Sequence, residues 1–135
     1  MLKKLYPYLV LTFLVIVFGT IYLNAQTVFL SDVAPADVAL IEVRNGSTGA
    51  HFEVTDREDI NFVVEGIQSR TFLKDGVSVG YCGTLYTLTF SDEKGNTLAQ
   101  FIVNGPQTIR KDPFFYQIME GDLQAVLDRL EQLEG

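Results

Sequence analysis

The chain has 135 residues, 47% of them hydrophobic and 20% charged: room for one ordinary domain, and too apolar for a disordered tail. Its 10 basic and 17 acidic side chains give a formal charge of −7, and every acid lies from Asp32 onward. Residues 26–135 hold 8 basic and 17 acidic groups, a formal −9, which repels phosphate backbones and speaks against nucleic acid as a partner.

Residues 1–4, with Lys3 and Lys4, form a short polar stub ahead of an uncharged run from Leu5 to Leu23. At ~1.5 Å per helical residue that run spans about 28 Å, the thickness of a bilayer's hydrocarbon core. Tyr6, Tyr8 and Tyr22 fall near its ends, where amphipathic rings favour the interface. Pro7 is expected in the first helical turn, where its missing N–H costs nothing. The next basic residue after Lys4 is Arg44, so the positive-inside bias directs the N-terminus to the cytoplasm and residues 26–135 outside. The expectation is a single-pass cell-membrane protein, held in the bilayer through residues 5–23. The alternative is a signal peptide cleaved after Leu23-Asn24-Ala25, which releases a secreted domain. The bulk of Leu23 and the length of the run favour the anchor. A lipoprotein needs a cysteine just after the apolar run, and the single cysteine is Cys82.

Residues 24–37 read as a linker containing Pro35, with Val28-Phe29-Leu30 as a candidate short strand, and residues 38–135 as the folded domain. Val38 to Val43 is apolar and partly alternating, and Asn45-Gly46 after it predicts a tight hairpin turn with both residues at positive φ. His51-Phe52-Glu53-Val54 is the return strand, with Phe52 and Val54 on one face and His51 toward solvent. Thr55 and Glu58 have capping-box spacing, and Ile60, Val63, Val64 and Ile67 define an apolar helical face, predicting a helix over Asp56–Ser69. Thr71 to Lys74 reads as a short strand and Asp75 to Gly83 as a glycine-bearing loop. Leu85 to Phe90 alternates, with Tyr86, Leu88 and Phe90 on one face. A turn at Ser91–Asn96, a strand over Thr97–Val103, and shorter strands over Gln107–Lys111 and Phe114–Ile118 follow. A helix opening at Asp122 has Leu123, Val126, Leu127, Leu130 and Leu133 on one face; Asp128, Glu131 and Glu134 read as its solvated side.

Hairpin, helix, antiparallel meander and terminal helix predict an α+β fold of two layers, in which the helices and the apolar sheet face bury each other. The same pattern carries a resemblance. Thr55-Asp56-Arg57-Glu58-Asp59-Ile60 opens one helix, Gly83…Tyr86-x-Leu88-x-Phe90-x-Asp92-x-x-Gly95 marks a hairpin, and Gly121-Asp122-Leu123 opens the last helix. This resembles a family of short extracytoplasmic domains of Gram-positive bacteria, tethered by an N-terminal helix or a lipid and catalogued as a domain of unknown function. The likeness extends over about Asp37 to Leu133. It departs at Thr84, where the family often has an aromatic residue. It implies a location and a fold, and brings no catalytic residue with it.

Chemistry-bearing constellations are sparse. A Cys82–His51 dyad is the one conceivable nucleophile and base, and neither residue sits in a recognised motif. A small loop residue is the simpler account of Cys82; as an unpaired thiol outside the membrane it is also a candidate for an intermolecular disulfide. One cysteine and one histidine cannot hold zinc, and Asp92, Glu93 and Asn96 around Gly95 lack the spacing of a calcium loop. Asp56, Glu58 and Asp59 are accounted for by a helix N-terminus. Phosphate-loop and serine-elbow motifs are absent from the sequence. The remaining candidate is Phe114-Phe115-Tyr116, an aromatic interaction surface on which Phe115 should point opposite to its neighbours. The expectation is a binding domain with neither catalytic site nor cofactor, serving an envelope protein or a small ligand.

Overall fold

The computed structural model describes Leu2 to Gly135. Helix α1 (Leu2–Asn24) buries none of its side chains, and its most apolar window has a mean hydropathy of 2.0, long and apolar enough to cross a membrane. The helix starts at Leu2, not Leu5, so Pro7 lies one turn inside it and the Lys3 carbonyl loses its intrahelical donor.

The rest is an α+β domain. Strands β1 (Leu40–Asn45), β2 (His51–Val54), β3 (Phe72–Val77), β4 (Tyr86–Ser91), β5 (Thr97–Val103), β6 (Thr108–Lys111) and β7 (Phe114–Ile118) form one antiparallel sheet in the order β2-β1-β4-β5-β6-β7-β3. Strand period 2 sorts the side chains: Ile41 and Val43, opposite Phe90 and Leu88, are fully buried with Phe101, Val103 and Ile109. Glu42, Arg44, His51, Thr87, Thr89 and Gln100 alternate with them and form the open, polar face. Helices α2 (Arg57–Gln68) and α3 (Gln124–Glu134) cover the apolar face through Ile60, Val63, Val64, Ile67, Val126, Leu127 and Leu130. Gly66 admits Val126 against the α2 backbone: a Cβ there would stand 2.7 Å from Val126 Cγ2. Arg129 Nη1 reaches Asp59 Oδ1 at 2.7 Å and lies over the Phe62 ring, tying the two helices together.

Local signals resolve differently from their sequence patterns in four places. The α2 N-cap is Asp56, whose side chain accepts from the Asp59 N–H; the carboxylate one residue along takes the place expected for Thr55. The β1–β2 turn is no two-residue turn. Asn45 Oδ1 accepts from the N–H of Ser47 and of Thr48, and a four-residue loop closes at Gly49 with φ 78°. Gly46 is absent from the positive-φ residues and serves a close approach instead, its N–H donating to Leu85 O at 2.8 Å. Glu134, expected in solvent, turns back to accept from Asn45 Nδ2 at 2.9 Å, Thr48 Oγ1 at 2.9 Å and Tyr86 OH at 3.3 Å. These donors, Asn45 first, hold its carboxyl below the usual glutamate range.

The fourth difference is the segment read as a linker over 24–37. Thr27 forms an isolated antiparallel bridge with Phe72, with both backbone hydrogen bonds at 2.8 Å. Leu30 takes φ 63°, and adjacent Phe29 and Leu30 are both buried. Phe29 meets Phe72, Phe101 and Tyr116 at ring-centroid distances of 5.3, 5.1 and 5.0 Å. Gln68 Nε2 donates to the carbonyls of Leu30 and Val33, and Arg57 Nη1 to that of Pro35. The segment is a strap bound into the core, and only Ala25 and Gln26 separate α1 from it.

Candidate functional site

Strand β7 runs between β6 and β3, and its alternation sends Phe114 and Tyr116 to the helix-covered side and Phe115 to the open side. All three are half-buried. On the covered side the strap does not close over β7 completely. A groove of about 420 Å³ remains between Phe29 of the strap, Leu98 and Phe101 of β5, Phe114 and Tyr116. That volume falls in the range of small-ligand and side-chain sites, roughly 300–1,000 Å³. Lys111 and Asp32 stand at its margin and Tyr22 of α1 supplies one wall. Tyr22 is held there by Lys74, whose Nζ lies 4.3 Å from the ring centroid and donates to the Tyr22 carbonyl at 3.2 Å. The Tyr22 and Phe114 rings stand 6.1 Å apart. Burial, with Tyr22 nearby, pushes the Tyr116 hydroxyl above its ordinary value, so it is a neutral hydroxyl at neutral pH.

Phe115 serves a different cluster. The β3–β4 connection crosses the open face here, and Tyr81 packs edge-on against Phe115 at 5.1 Å and lies 5.8 Å from the Arg110 guanidinium. Ser78 is fully buried; its N–H donates to Pro113 O at 2.8 Å and its hydroxyl to Asp112 Oδ1 at 2.6 Å. Arg110 Nε donates to the same oxygen at 3.0 Å. The Ser78 and Arg110 hydrogen bonds hold the Asp112 carboxyl below the usual aspartate range. A lowered folded-state pKa means that this contribution is complete above the unfolded value and is lost as pH falls through the folded one. Residues 75–84 are therefore expected to become more open to hydrogen exchange on acidification through that range. Asp112→Asn should abolish the dependence; an unchanged pH profile in that variant would disconnect Asp112 from the loop.

His51 lies exposed on the open face, paired across to Arg44. Cys82 is exposed in the β3–β4 connection, and its only hydrogen bond among the described residues is a 3.9 Å contact with Gly80 O. No hydrogen bond joins Cys82 to His51 among these residues. Nor does any group of three His, Cys, Asp or Glu side chains among them converge to hold a metal. Asp92 takes the N–H groups of Lys94 and Asn96 and closes the β4–β5 turn.

Sequence reasoning singled out β7 but missed its partners in the groove. The apolar triplet Val28-Phe29-Leu30 inside a polar connector was the available signal for the strap. Lys74 and Ser78 carried none, because their roles depend on β3 lying beside β7. Comparison with protein-family models, with curated proteins and with solved structures found no match.

Proposed function

We propose that the chain is a membrane-anchored extracytoplasmic binding domain whose aromatic groove receives a segment of another envelope protein. In this reading α1 is retained as a signal anchor, Lys3 and Lys4 stay on the cytoplasmic side, and residues 26–135 stand outside, as in the Gram-positive family the sequence resembles. The observation that carries it is the groove itself, built jointly by Tyr22 of α1, the strap and β7. An occupant there meets several aromatic faces at the foot of the helix, the setting in which a few buried rings dominate binding energy. Cleavage after Ala25 would remove the Tyr22 wall and its Lys74 contacts, which favours the anchored form over the secreted one.

A photocrosslinking amino acid placed at Leu98 in the groove and, separately, at Gln100 on the open face tests the reading in intact cells. The expected result is one discrete protein adduct from position 98, lost in Tyr116→Ala, and none from position 100. Equal labelling from both positions, or none from 98, overturns the groove as a binding site. Alkaline carbonate extraction with intact-mass measurement tests the anchor separately, by retention at full-length mass or release with a new N-terminus near Gln26.

A further inference from the structure

The β3–β4 connection inverts the usual polarity of a surface loop. Ser78 is fully buried, pinned to Pro113 and Asp112, while Val77 and Val79 on either side are 69% and 66% exposed and Tyr81 is 53% exposed. Outside α1 no other large apolar side chain among the described residues exposes more than half of its surface. The hydrogen bonds of Ser78 hold it inward, so the two valines must point away from the domain.

Where they point is set by the tether. Thr27 pairs with Phe72 at the start of β3, and Tyr22 lies against Lys74 and Phe114 further along it. Phe114 is in turn the partner of Val77. Going back along the chain from Thr27 to Tyr22 thus moves toward the Val77 end of β3, and α1 leaves the domain at that end. With only Ala25 and Gln26 between helix and strap, the domain cannot turn away from it.

Segments 72–82 and 108–116 hold Lys74, Arg110 and Lys111 against Asp75 and Asp112, a formal +1 within residues 26–135 that total −9. The β4–β5 turn at the same end of the sheet carries Asp92 and Glu93 beside Lys94, and Asp32 stands with Lys111 at the groove, so the basic side chains here are local and it is position rather than charge that directs this end.

We infer that the Val77–Tyr81 loop, with Lys74 and Lys111 beside it, rests in the headgroup layer of the outer leaflet as a second membrane contact. The inference depends on α1 being an anchor, and it adds a fixed orientation of the domain on the bilayer. Exposed valines and a tyrosine enter the interfacial zone, and the exposed Lys111 meets lipid phosphate while Lys74 holds Tyr22. One face of the groove then opens at the level of the headgroups, so its occupant approaches along the membrane.

The chain contains no tryptophan, so a single introduced one reports alone. Full-length Val79→Trp, Ser47→Trp and Phe13→Trp are each reconstituted into vesicles of phosphatidylcholine and phosphatidylglycerol, with brominated lipids as quenchers. Shallow-brominated lipid is expected to quench the Val79→Trp variant about threefold or more beyond Ser47→Trp, whose indole sits in the β1–β2 turn, and the emission of Val79→Trp should be blue-shifted. Val77→Ser and Lys111→Glu in the Val79→Trp background should each reduce that quenching. If deep-brominated lipid quenches Phe13→Trp while Val79→Trp behaves like Ser47→Trp, the second contact is overturned and the anchor stands. An unquenched Phe13→Trp overturns both.

Discussion

Replacing Phe29 by alanine should lower the unfolding free energy by about 3–5 kcal/mol, the cost of truncating a buried phenylalanine whose site cannot collapse. Three rings from β3, β5 and β7 surround Phe29 at 5.0 to 5.3 Å, and they belong to strands fixed by the sheet. They cannot close on the space left behind. Val28→Ala, at a position 38% exposed, is the paired control and should cost less than about 0.5 kcal/mol. Urea unfolding of the full chain in detergent, followed by far-ultraviolet circular dichroism, measures both. A loss below about 1 kcal/mol for Phe29→Ala would make the strap a linker after all.

Gly46→Ala is the second large effect, with an expected loss of about 2–3 kcal/mol from overpacking and a strained hydrogen bond. A Cβ on Gly46 would overlap the Thr84 carbonyl and hydroxyl, and Thr84 cannot retreat while Leu85 O holds the Gly46 N–H at 2.8 Å. Gly49→Ala meets no neighbour and pays only for its φ of 78°, about 1 kcal/mol. The ranking of the two glycines is the diagnostic, read in the same unfolding assay. A turn dominated by backbone conformation would reverse it.

Those two residues also mark where sequence reasoning stopped. Local periodicity made α2, α3, the β4 alternation and the two-layer α+β class legible, because each depends on residues within one element. That Phe115 projects opposite to Phe114 and Tyr116 was legible for the same reason; which of the two faces is covered was not. Gly46 was recognisable as a turn residue, but its neighbour Thr84 is 38 positions away and no local pattern carries that pairing. Phe29 looked like part of a connector because Ser31, Asp32, Pro35 and Asp37 around it are polar or turn-forming. Its burial is decided by three strands that come later in the chain. The groove combines both kinds of information: β7 announced itself by composition, while the wall at Tyr22 and the clamp at Lys74 follow from the placing of β3.

That placing has a temporal side. Strands β1 and β2 are hairpin partners, and β4 through β7 join in sequence, each beside the one before. β3 alone is made early and seated last: Phe72 must wait for Ile118, 46 residues further on. A chain synthesised from its N-terminus therefore carries β3 as an open edge until nearly all of the domain exists, and the closing step bears the entropy of a long loop, second in the sheet to the one that joins β1 to β4. Lys74, Asp75 and Gly76 occupy the middle of that waiting strand, where charge and an irregular backbone discourage pairing with another chain. The same lysine that later grips Tyr22 thus guards the edge while it is still unpaired.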